Sequence, residues 1–246
     1  MDIPQQSDVT TSLFPDDTAI VARHKEYNVA VSHLQAATSP IASWAQTWEV
    51  LLNEAKSIRV DFSLGPHSYV PTVIQGKPVP KYLGLHLDAK LNWQEHIRNK
   101  LAILNLTLLN FRWLIGLRSN LSLKNKVLIF KTVFQPAWSY GSEIWGAAAK
   151  SNIRKIEVFV HKYLRTITGA LWYMTNQQLR LDLGVVSVFE VIKNRTCRYI
   201  RRLHDHPNVE PIRLLSPMTP GDYAVDTHSI LFIDSEFSPL VLSGRM

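Results

Sequence analysis

The stretch LFPDDTAI, residues 13–20, decides how this chain is interpreted. Two adjacent carboxylates, Asp16 and Asp17, lie between two short apolar runs, VTTSLF at 9–14 and TAIVA at 18–22. Short runs of this kind on either side of a proline–aspartate turn predict a β-hairpin. Aspartate is an ordinary turn residue because its side chain bonds the neighbouring backbone. A pair of carboxylates is also the ligand type that a hard divalent cation prefers, so the hairpin alone leaves a structural turn and a metal site both open.

The next seventy residues mix helical and strand patterns. Residues 27–52 are predicted as helix, in two pieces or with a sharp kink because of Pro40. The apolar stripe predicted on this helix consists of Ile41, Trp44, Trp48 and Leu51. Alternation in IRVDF, residues 58–62, predicts a half-buried strand, and two further strands are predicted at Val70–Ile74 and Tyr82–Leu87.

After Asn92 the pattern becomes helical almost throughout. Helices are predicted over about residues 93–116, from Ser122 to Gln135, from Ser151 or Asn152 to Gly169, from Thr175 to Leu181 and from Ser187 to His204. Residues 207–246 are acidic and lack periodicity, which predicts an irregular tail with one strand at Ile230–Ile233. Strands followed by helices indicate an α+β chain with a boundary near residue 90.

The positive charge is concentrated in the helical region. Residues 1–89 carry 6 Lys/Arg and 9 Asp/Glu, whereas residues 90–206 carry 19 and 6, a net charge of +13. Residues 207–246 return to a net charge of −3, with 2 Lys/Arg and 5 Asp/Glu. A basic block of this size predicts contact with a polyanion such as nucleic acid. The alternative is a bundle of helices whose basic faces are simply solvated.

Cysteine content and hydropathy limit the class of protein. Cys197 is the single cysteine, which excludes an internal disulfide and a cysteine-rich zinc site. No apolar run approaches the roughly 20 residues that span a membrane, and the first residues do not resemble a secretory signal. We therefore expect an intracellular protein, in the nucleus or the cytoplasm, with neither a membrane nor a disulfide partner.

The surroundings of the carboxylate pair carry a family resemblance. LFPDDTAI resembles the F-A-D-D-T-A hairpin of reverse transcriptases. Further motifs of that family follow in order: Met1-Asp2-Ile3-Pro4, Trp44…Trp48…Asn53-Glu54-Ala55-Lys56-Ser57, Tyr82-Leu83-Gly84-Leu85…Leu91-Asn92-Trp93, Leu164-Arg165…Thr168-Gly169-Ala170 and His206-Pro207-Asn208. Together they resemble the reverse transcriptases of non-LTR retrotransposons, most closely the jockey-like group of insects, over about residues 2–208.

The resemblance implies RNA-directed DNA polymerase chemistry, with RNA template, DNA primer and deoxynucleoside triphosphates as partners. Nucleotidyl transfer uses two divalent ions. The resemblance implies that Asp16 is the stronger ligand of Mg²⁺ (or Mn²⁺) and that Asp17 is the supporting one. Lys56 would lie near the incoming triphosphate. The alternative is that Lys56 is an ordinary surface lysine at a helix end. Tyr82, Leu83 and Gly84 would belong to a primer-contacting element.

Two departures from the family bear on activity. Pro15 stands where the family has alanine, and its fixed φ and missing N–H could re-aim Asp16. Family polymerases also carry another catalytic aspartate on an earlier palm strand, and fingers that bind template and nucleotide. The residues before Asp16 contain only Asp2 and Asp8. The expected identity is therefore the second half of a palm plus a thumb, inactive alone and weak in metal binding.

The expected domains follow from the resemblance and the charge together. They are a partial palm at 1–92, a basic helical thumb and connection at 93–206, and the acidic tail at 207–246. In the thumb, nucleic-acid contacts are predicted for Arg112, Arg118, Lys124, Lys126 and Lys131. Lys124 and Lys131 are seven residues apart and share a helix face, whereas Lys126 is offset from them.

Aromatic residues of the helical region have two interpretations. The six residues are Trp113, Trp138, Tyr140, Trp145, Trp172 and Tyr173. They could stack on bases, but their apolar neighbours predict core packing. Two rivals to a polymerase part remain: a non-catalytic nucleic-acid-binding remnant or decayed retrotransposon copy, and a helical interaction protein without nucleic-acid contacts.

Overall fold

The computed structural model describes Pro4 and residues 7–14, 17–53, 56–62, 79–205 and 227–236, the last segment by its backbone only. The chain divides into two compact units. The sheet unit comprises Met1–Leu91 with Met218–Met246, and the helical unit comprises Asn92–Pro217. Strands lie in the first unit and long helices dominate the second, so the predicted α+β class is confirmed.

The sheet unit contains seven described strands and one helix. In chain order they are β1 Val9–Leu13, β2 Asp17–His24, α1 Tyr27–Thr47, β3 Leu51–Leu52, β4 Ile58–Phe62, β5 Lys81–Tyr82, β6 Leu85–His86 and β7 Thr227–Glu236. The predicted hairpin and the predicted strand at 58–62 are confirmed. The strand predicted at Val70–Ile74 lies outside the described residues.

β7 is the central strand of a five-stranded antiparallel sheet. It pairs with β2 along one edge, from Asp17 opposite Asp234 to His24 opposite Thr227. Its other edge pairs first with β3 and then with β4. The strand predicted at Ile230–Ile233 therefore extends to ten residues and joins the two sides of the sheet.

The two faces of the sheet carry different residues because side chains alternate along a strand. One face packs against α1, where the buried core consists of Ile20, Ala22, Leu34, Ala37 and Ile41. The opposite face carries Ala19 and Val60, with Ile58, Phe62, Tyr82 and Leu87 packed against them. The predicted alternation of β4 is thus confirmed, with Ile58, Val60 and Phe62 on one face.

Helix α1 differs from its prediction in extent and in buried face. It ends at Thr47, and Pro40 lies inside it without dividing it. Proline removes the hydrogen bond to the Ala36 carbonyl, and Ala36 is exposed, so water can replace that bond. The predicted stripe was wrong at its end: Trp44 is half-buried and Ala45 is buried, while Trp48 and Leu51 are exposed.

The helical unit contains seven α-helices among the residues that the structure describes. They are α2 Gln94–Ile115, α3 Leu123–Ile129, α4 Gln135–Ser139, α5 Ser142–Trp145, α6 Lys150–Thr168, α7 Asn176–Asp182 and α8 Val188–His204. The predicted caps at Ser122, Thr175 and Ser187 are confirmed, since each hydroxyl accepts a backbone N–H three residues on. The cap predicted at Ser151 or Asn152 was wrong, because α6 begins after Ala149.

Helical structure continues beyond Pro136, whereas the sequence predicted an end at Gln135. A π-helical segment, Phe130–Phe134, joins α3 to α4, and the Gln135 N–H bonds to the Phe130 carbonyl five residues back. This extra residue shifts the hydrogen-bond ladder, so Pro136 falls in the first turn of α4, where proline is tolerated. The rings of Phe130 and Phe134 then both pack against Tyr163 of α6.

Glu157 ties three helices of the helical unit together. Its carboxylate lies 3.1 Å from Arg180 of α7 and 3.3 Å from His161 of α6, and accepts the Val188 N–H of α8 at 2.8 Å. Burial by itself would raise the pKa of Glu157. The bonds from His161 and Val188 and the charge of Arg180 outweigh burial and hold that pKa below its ordinary value.

Glu157→Gln is expected to destabilise the helical unit by about 1–3 kcal/mol at neutral pH, because the half-buried Arg180 loses its charged partner. Folding lowers the pKa of this carboxyl from its ordinary value of 4.5, so its charged form stabilises the fold at pH values above 4.5. That contribution is lost as the pH falls through the lower, folded pKa. Urea titrations from pH 7 to pH 3 should show the two proteins converging at the acid end. A difference that stays constant with pH would contradict this account.

Candidate functional site

The carboxylate hairpin is closed by two backbone bonds. The Phe14 N–H donates to the Asp17 carbonyl at 2.9 Å, and the Asp17 N–H donates to the Phe14 carbonyl at 3.2 Å. Phe14 and Asp17 are therefore the pair that closes the hairpin between β1 and β2. Asp17 is the first residue of β2. Pro15 and Asp16 lie outside the described residues, so the effect of Pro15 on Asp16 stays a prediction.

Tyr82 lies on the same face of the sheet as Asp17, although the two residues are far apart in the sequence. Burial raises the pKa of the Tyr82 phenol, the nearby Asp17 carboxylate raises it further, and a hydrogen bond with Ser12 of β1 opposes both. Asp17 and Ala19 share a face of β2, and Tyr82 packs on that face. The face opposite α1 thus brings together two motifs that the sequence analysis had singled out separately.

Tyr82, Leu83 and Gly84 form a tight hairpin, where the sequence predicted one strand over Tyr82–Leu87. β5 and β6 pair through Tyr82 opposite Leu85. Leu83 and Gly84 have positive φ angles of 44° and 79°, as the two central residues of a type I′ turn require. Glycine adopts such an angle easily. The turn pairs Tyr82 with Leu85, and Tyr82 packs on the sheet face that carries Ala19 and Val60.

The strand register places two further residues, residue 234 and Lys56, at the end of the sheet where β2 begins. β7 runs beside β2 with residue 234 opposite Asp17, a neighbour that the sequence analysis did not identify. Lys56 precedes β4 by two residues at the same end, with β7 between it and Asp17. Lys56 is exposed, and its N–H bonds to the Asn53 carbonyl and side chain.

The candidate metal ligands are two carboxylates, of which Asp17 is among the described residues and Asp16 is not. Asp17 supplies the carboxylate oxygens that Mg²⁺ prefers. Among the described residues there is no group of three or more His, Cys, Asp or Glu side chains able to hold a metal ion. The described donor atoms therefore fit one ligand of a divalent cation and do not form a full set.

Four of the five predicted basic contacts are exposed. Arg112 and Arg118 flank the end of α2, while Lys124 and Lys131 lie on the following helical run. Lys126 differs: it is 5% exposed, and its ammonium donates to the Gly116 carbonyl at 2.7 Å. Lys126 thus holds the end of α2 to α3 and faces away from solvent.

Lys124 and Lys131 border the same open groove, as their spacing suggested. The groove has a volume of about 440 Å³, and its other lining residues include Leu128, Leu183 and Asp182. Two ammonium groups beside an apolar floor suit a ligand that combines anionic groups with flat or apolar surface. Asp182, which accepts a bond from Gln178, is the acidic residue of this lining.

The aromatic residues of the helical unit divide into two classes. Trp138 and Trp145 are buried, as core packing predicted. Trp113, Tyr140, Trp172 and Tyr173 are exposed, so core packing was the wrong prediction for these four. That prediction was based on the apolar neighbours of these residues, but some of those neighbours, among them Leu117 and Leu171, are themselves exposed.

No described helix is both long enough and apolar enough to cross a membrane. No protein-family model and no solved structure matches the chain. Curated sequences do. The probable RNA-directed DNA polymerase from transposon X-element of Drosophila melanogaster is 35% identical over 200 residues, which are 79% of this chain and 22% of that protein.

Two further relatives come from the mobile element jockey. The RNA-directed DNA polymerase of the Drosophila melanogaster element is 35% identical over 208 residues, 82% of this chain and 23% of that protein. That of the Drosophila funebris element is 31% identical over 220 residues, 84% of this chain and 24% of that protein. The chain thus spans less than a quarter of the length of these relatives.

Proposed function

The chain belongs to the family of RNA-directed DNA polymerases of jockey-like non-LTR mobile elements, and from that premise we propose that it forms the carboxylate-hairpin part of a reverse transcriptase palm together with its thumb. The observation that carries the proposal is that Tyr82 packs on the face of the sheet that carries Asp17 and Ala19. A primer-contacting element is useful only beside the carboxylates that act on the primer end. The proposed palm part is 1–92 and the proposed thumb and connection is 93–206.

The proposed chemistry is nucleotidyl transfer to a primer 3′-hydroxyl. Asp16 and Asp17 would hold Mg²⁺ or Mn²⁺, which stabilises the attacking and leaving oxygens. Lys56, at the same end of the sheet, would neutralise charge on the triphosphate. Tyr82, Leu83 and Gly84 would contact the primer strand, from a turn in which Leu83 and Gly84 have positive φ angles.

The proposed partners of the helical unit are an RNA template and a DNA primer in duplex form. Arg112, Arg118, Lys124 and Lys131 would bind phosphates without reading sequence. Lys126 is omitted from this surface because its ammonium is buried on Gly116. The proposed site of action is inside the cell, in the nucleus or the cytoplasm, where the element's RNA is copied.

A second candidate is nucleic-acid binding without catalysis. The chain spans 22–24% of the length of its relatives, and the predicted basic contacts belong to the helical unit alone. Both candidates require the helical unit to bind duplexes, so binding is tested first and primer extension separates them.

We expect sequence-tolerant binding of RNA–DNA and RNA duplexes that weakens with salt. If about five phosphates are neutralised, log affinity should fall against log salt with a slope of roughly −4 to −5. Lys124→Glu with Lys131→Glu should weaken binding about tenfold or more and flatten the slope by about 2, since each lysine displaces about one counterion. Fluorescence anisotropy at several salt concentrations measures both quantities.

The matched control is Lys25→Glu with Lys90→Glu, which makes the same change in net charge at two exposed lysines of the sheet unit. This control should leave the slope near that of the unmodified chain. Equal losses in the two double variants would mean that net charge alone drives binding, against a duplex surface on the helical unit. A slope near zero for the unmodified chain would contradict both candidate functions.

A further inference from the structure

Two long helices of the helical unit run parallel and end side by side. The Asn152 side chain at the start of α6 donates to the Asn92 carbonyl just before α2, at 3.4 Å. Midway along the helices, the Lys162 ammonium donates to Asn105 at 2.8 Å. At the far end the Leu117 side chain lies directly against Gly169. The C-terminal ends of α2 and α6 therefore form one end of the helical unit.

The turn after α6 presents two aromatic rings at this end. Gly169 closes α6 with a φ of 63°. The Met174 N–H then donates to the Leu171 carbonyl at 3.1 Å, so Trp172 and Tyr173 occupy the two corner positions of a β-turn. Trp172 is 89% exposed and Tyr173 63% exposed. Their rings meet edge to face at 5.9 Å.

Arg165 holds this turn in shape. Its guanidinium donates to the Leu171 carbonyl at 3.2 Å, to the Met174 carbonyl at 2.6 Å and to the Asn176 side chain at 3.0 Å. The residues on either side of the two rings are thus bound to one rigid, planar group. Turn corners usually carry glycine, asparagine or aspartate. A tryptophan and a tyrosine held there in solvent are a preorganised apolar surface.

The charge around this end of the unit selects an anionic ligand. Residues 96–142 and 158–181, which include the ends of α2 and α6 and the turn, contain no aspartate or glutamate. Arg112 and Arg118 are exposed on either side of the end of α2, where Trp113 is 78% exposed. Flat aromatic rings near exposed arginines match unpaired nucleotides, which have π-faces and a charged backbone.

We infer that the Trp172–Tyr173 turn is a stacking site for unpaired bases of a single-stranded segment next to the duplex. This inference rests on the proposed function, in which the helical unit binds nucleic acid. The rings stack on bases of any sequence, and Arg112 and Arg118 bind the adjoining phosphates. Unpaired bases expose both of their faces, whereas a blunt duplex exposes only the outer face of each terminal base pair, so the site favours overhanging over blunt duplexes.

The test uses the full chain with two RNA duplexes, one blunt and one carrying an eight-nucleotide single-stranded overhang. The overhang contains 2-aminopurine, whose fluorescence falls when it stacks on a ring. The unmodified chain should bind the overhanging duplex more tightly and quench the probe. Trp172→Ala with Tyr173→Ala should weaken binding of the overhanging duplex by about 10- to 100-fold, abolish quenching, and leave blunt-duplex affinity unchanged.

Two matched variants guard against a folding effect. Trp172→Phe with Tyr173→Phe keeps both rings and should retain most of the preference for the overhang. Phe189→Ala removes an exposed ring from α8 of the same unit and should have no effect. Equal affinity of the alanine and unmodified proteins for the overhanging duplex would overturn the stacking site, and would point to a protein or lipid partner for the turn. Absence of binding to either duplex would instead refute the proposed function.

Discussion

Primer extension by this chain alone is expected to yield no product above background, on poly(rA) primed with oligo(dT) and with either Mg²⁺ or Mn²⁺. The reaction needs a full set of carboxylates around two ions, because both the attacking and the leaving oxygen carry charge in the transition state. By resemblance, family polymerases carry a further catalytic aspartate on a palm strand that precedes the carboxylate hairpin. The catalytic relatives are also more than four times longer than the stretch matched here.

A chimera that adds the remaining polymerase sequence of a jockey-like relative should recover activity. In that protein Asp16→Ala and Asp17→Ala should each reduce the rate by about 100-fold or more, because loss of a ligand misplaces the reacting atoms. Asp8→Ala, at an exposed aspartate in the turn before β1, is the control and should have no effect. Product from the unmodified chain that disappears on Asp16→Ala would overturn the expectation that this chain is inactive.

Leu231→Pro is expected to unfold the sheet unit. Residue 231 lies in the middle of β7, opposite Ile20 of β2 and Arg59 of β4. Proline removes a ladder hydrogen bond and cannot be accommodated in a central strand. A cost on the order of 3 kcal/mol or more is expected. β2 and β4 have no pairing with each other, so the loss also separates the two sides of the sheet.

Hydrogen exchange of the β2 amides, such as Ile20 and Ala22, measures this effect, and amides of α6 in the helical unit provide the internal reference. Leu231→Val, which keeps the backbone N–H at the same position of β7, is the control substitution and should leave β2 protected. If Leu231→Pro leaves β2 protected as well, β7 is not the strand that holds β2, and the register opposite Asp17 is wrong.

Features whose signal lies within a few residues could be predicted from the sequence. Ser122, Thr175 and Ser187 were identified as caps because each hydroxyl accepts an N–H only three residues away. Gly169 was expected to end a helix, and it does so in the left-handed conformation that glycine favours. The hairpin around Asp17 follows from its turn residues and flanking apolar runs.

Features that depend on a partner elsewhere in the chain could not be predicted from the sequence. Lys126 and Lys124 look alike in the sequence, but one ammonium is bound to Gly116 and the other faces a groove. Pro136 predicts a helix end, but a π-helical segment precedes it and helical structure continues. Two phenylalanine rings of that segment pack against Tyr163. Neither outcome follows from propensity, because long-range packing supplies the free energy.

The sequence by itself determined the α+β order of the elements, the basic character of the helical unit and the family, since these depend on residue types and their spacing. Only the tertiary structure decided that β7 lies beside Asp17, that Tyr82 reaches the same face and that Trp172 stands in solvent. Strand pairing and burial join residues far apart in the chain. Their free energy comes from contacts that exist only after the chain has folded.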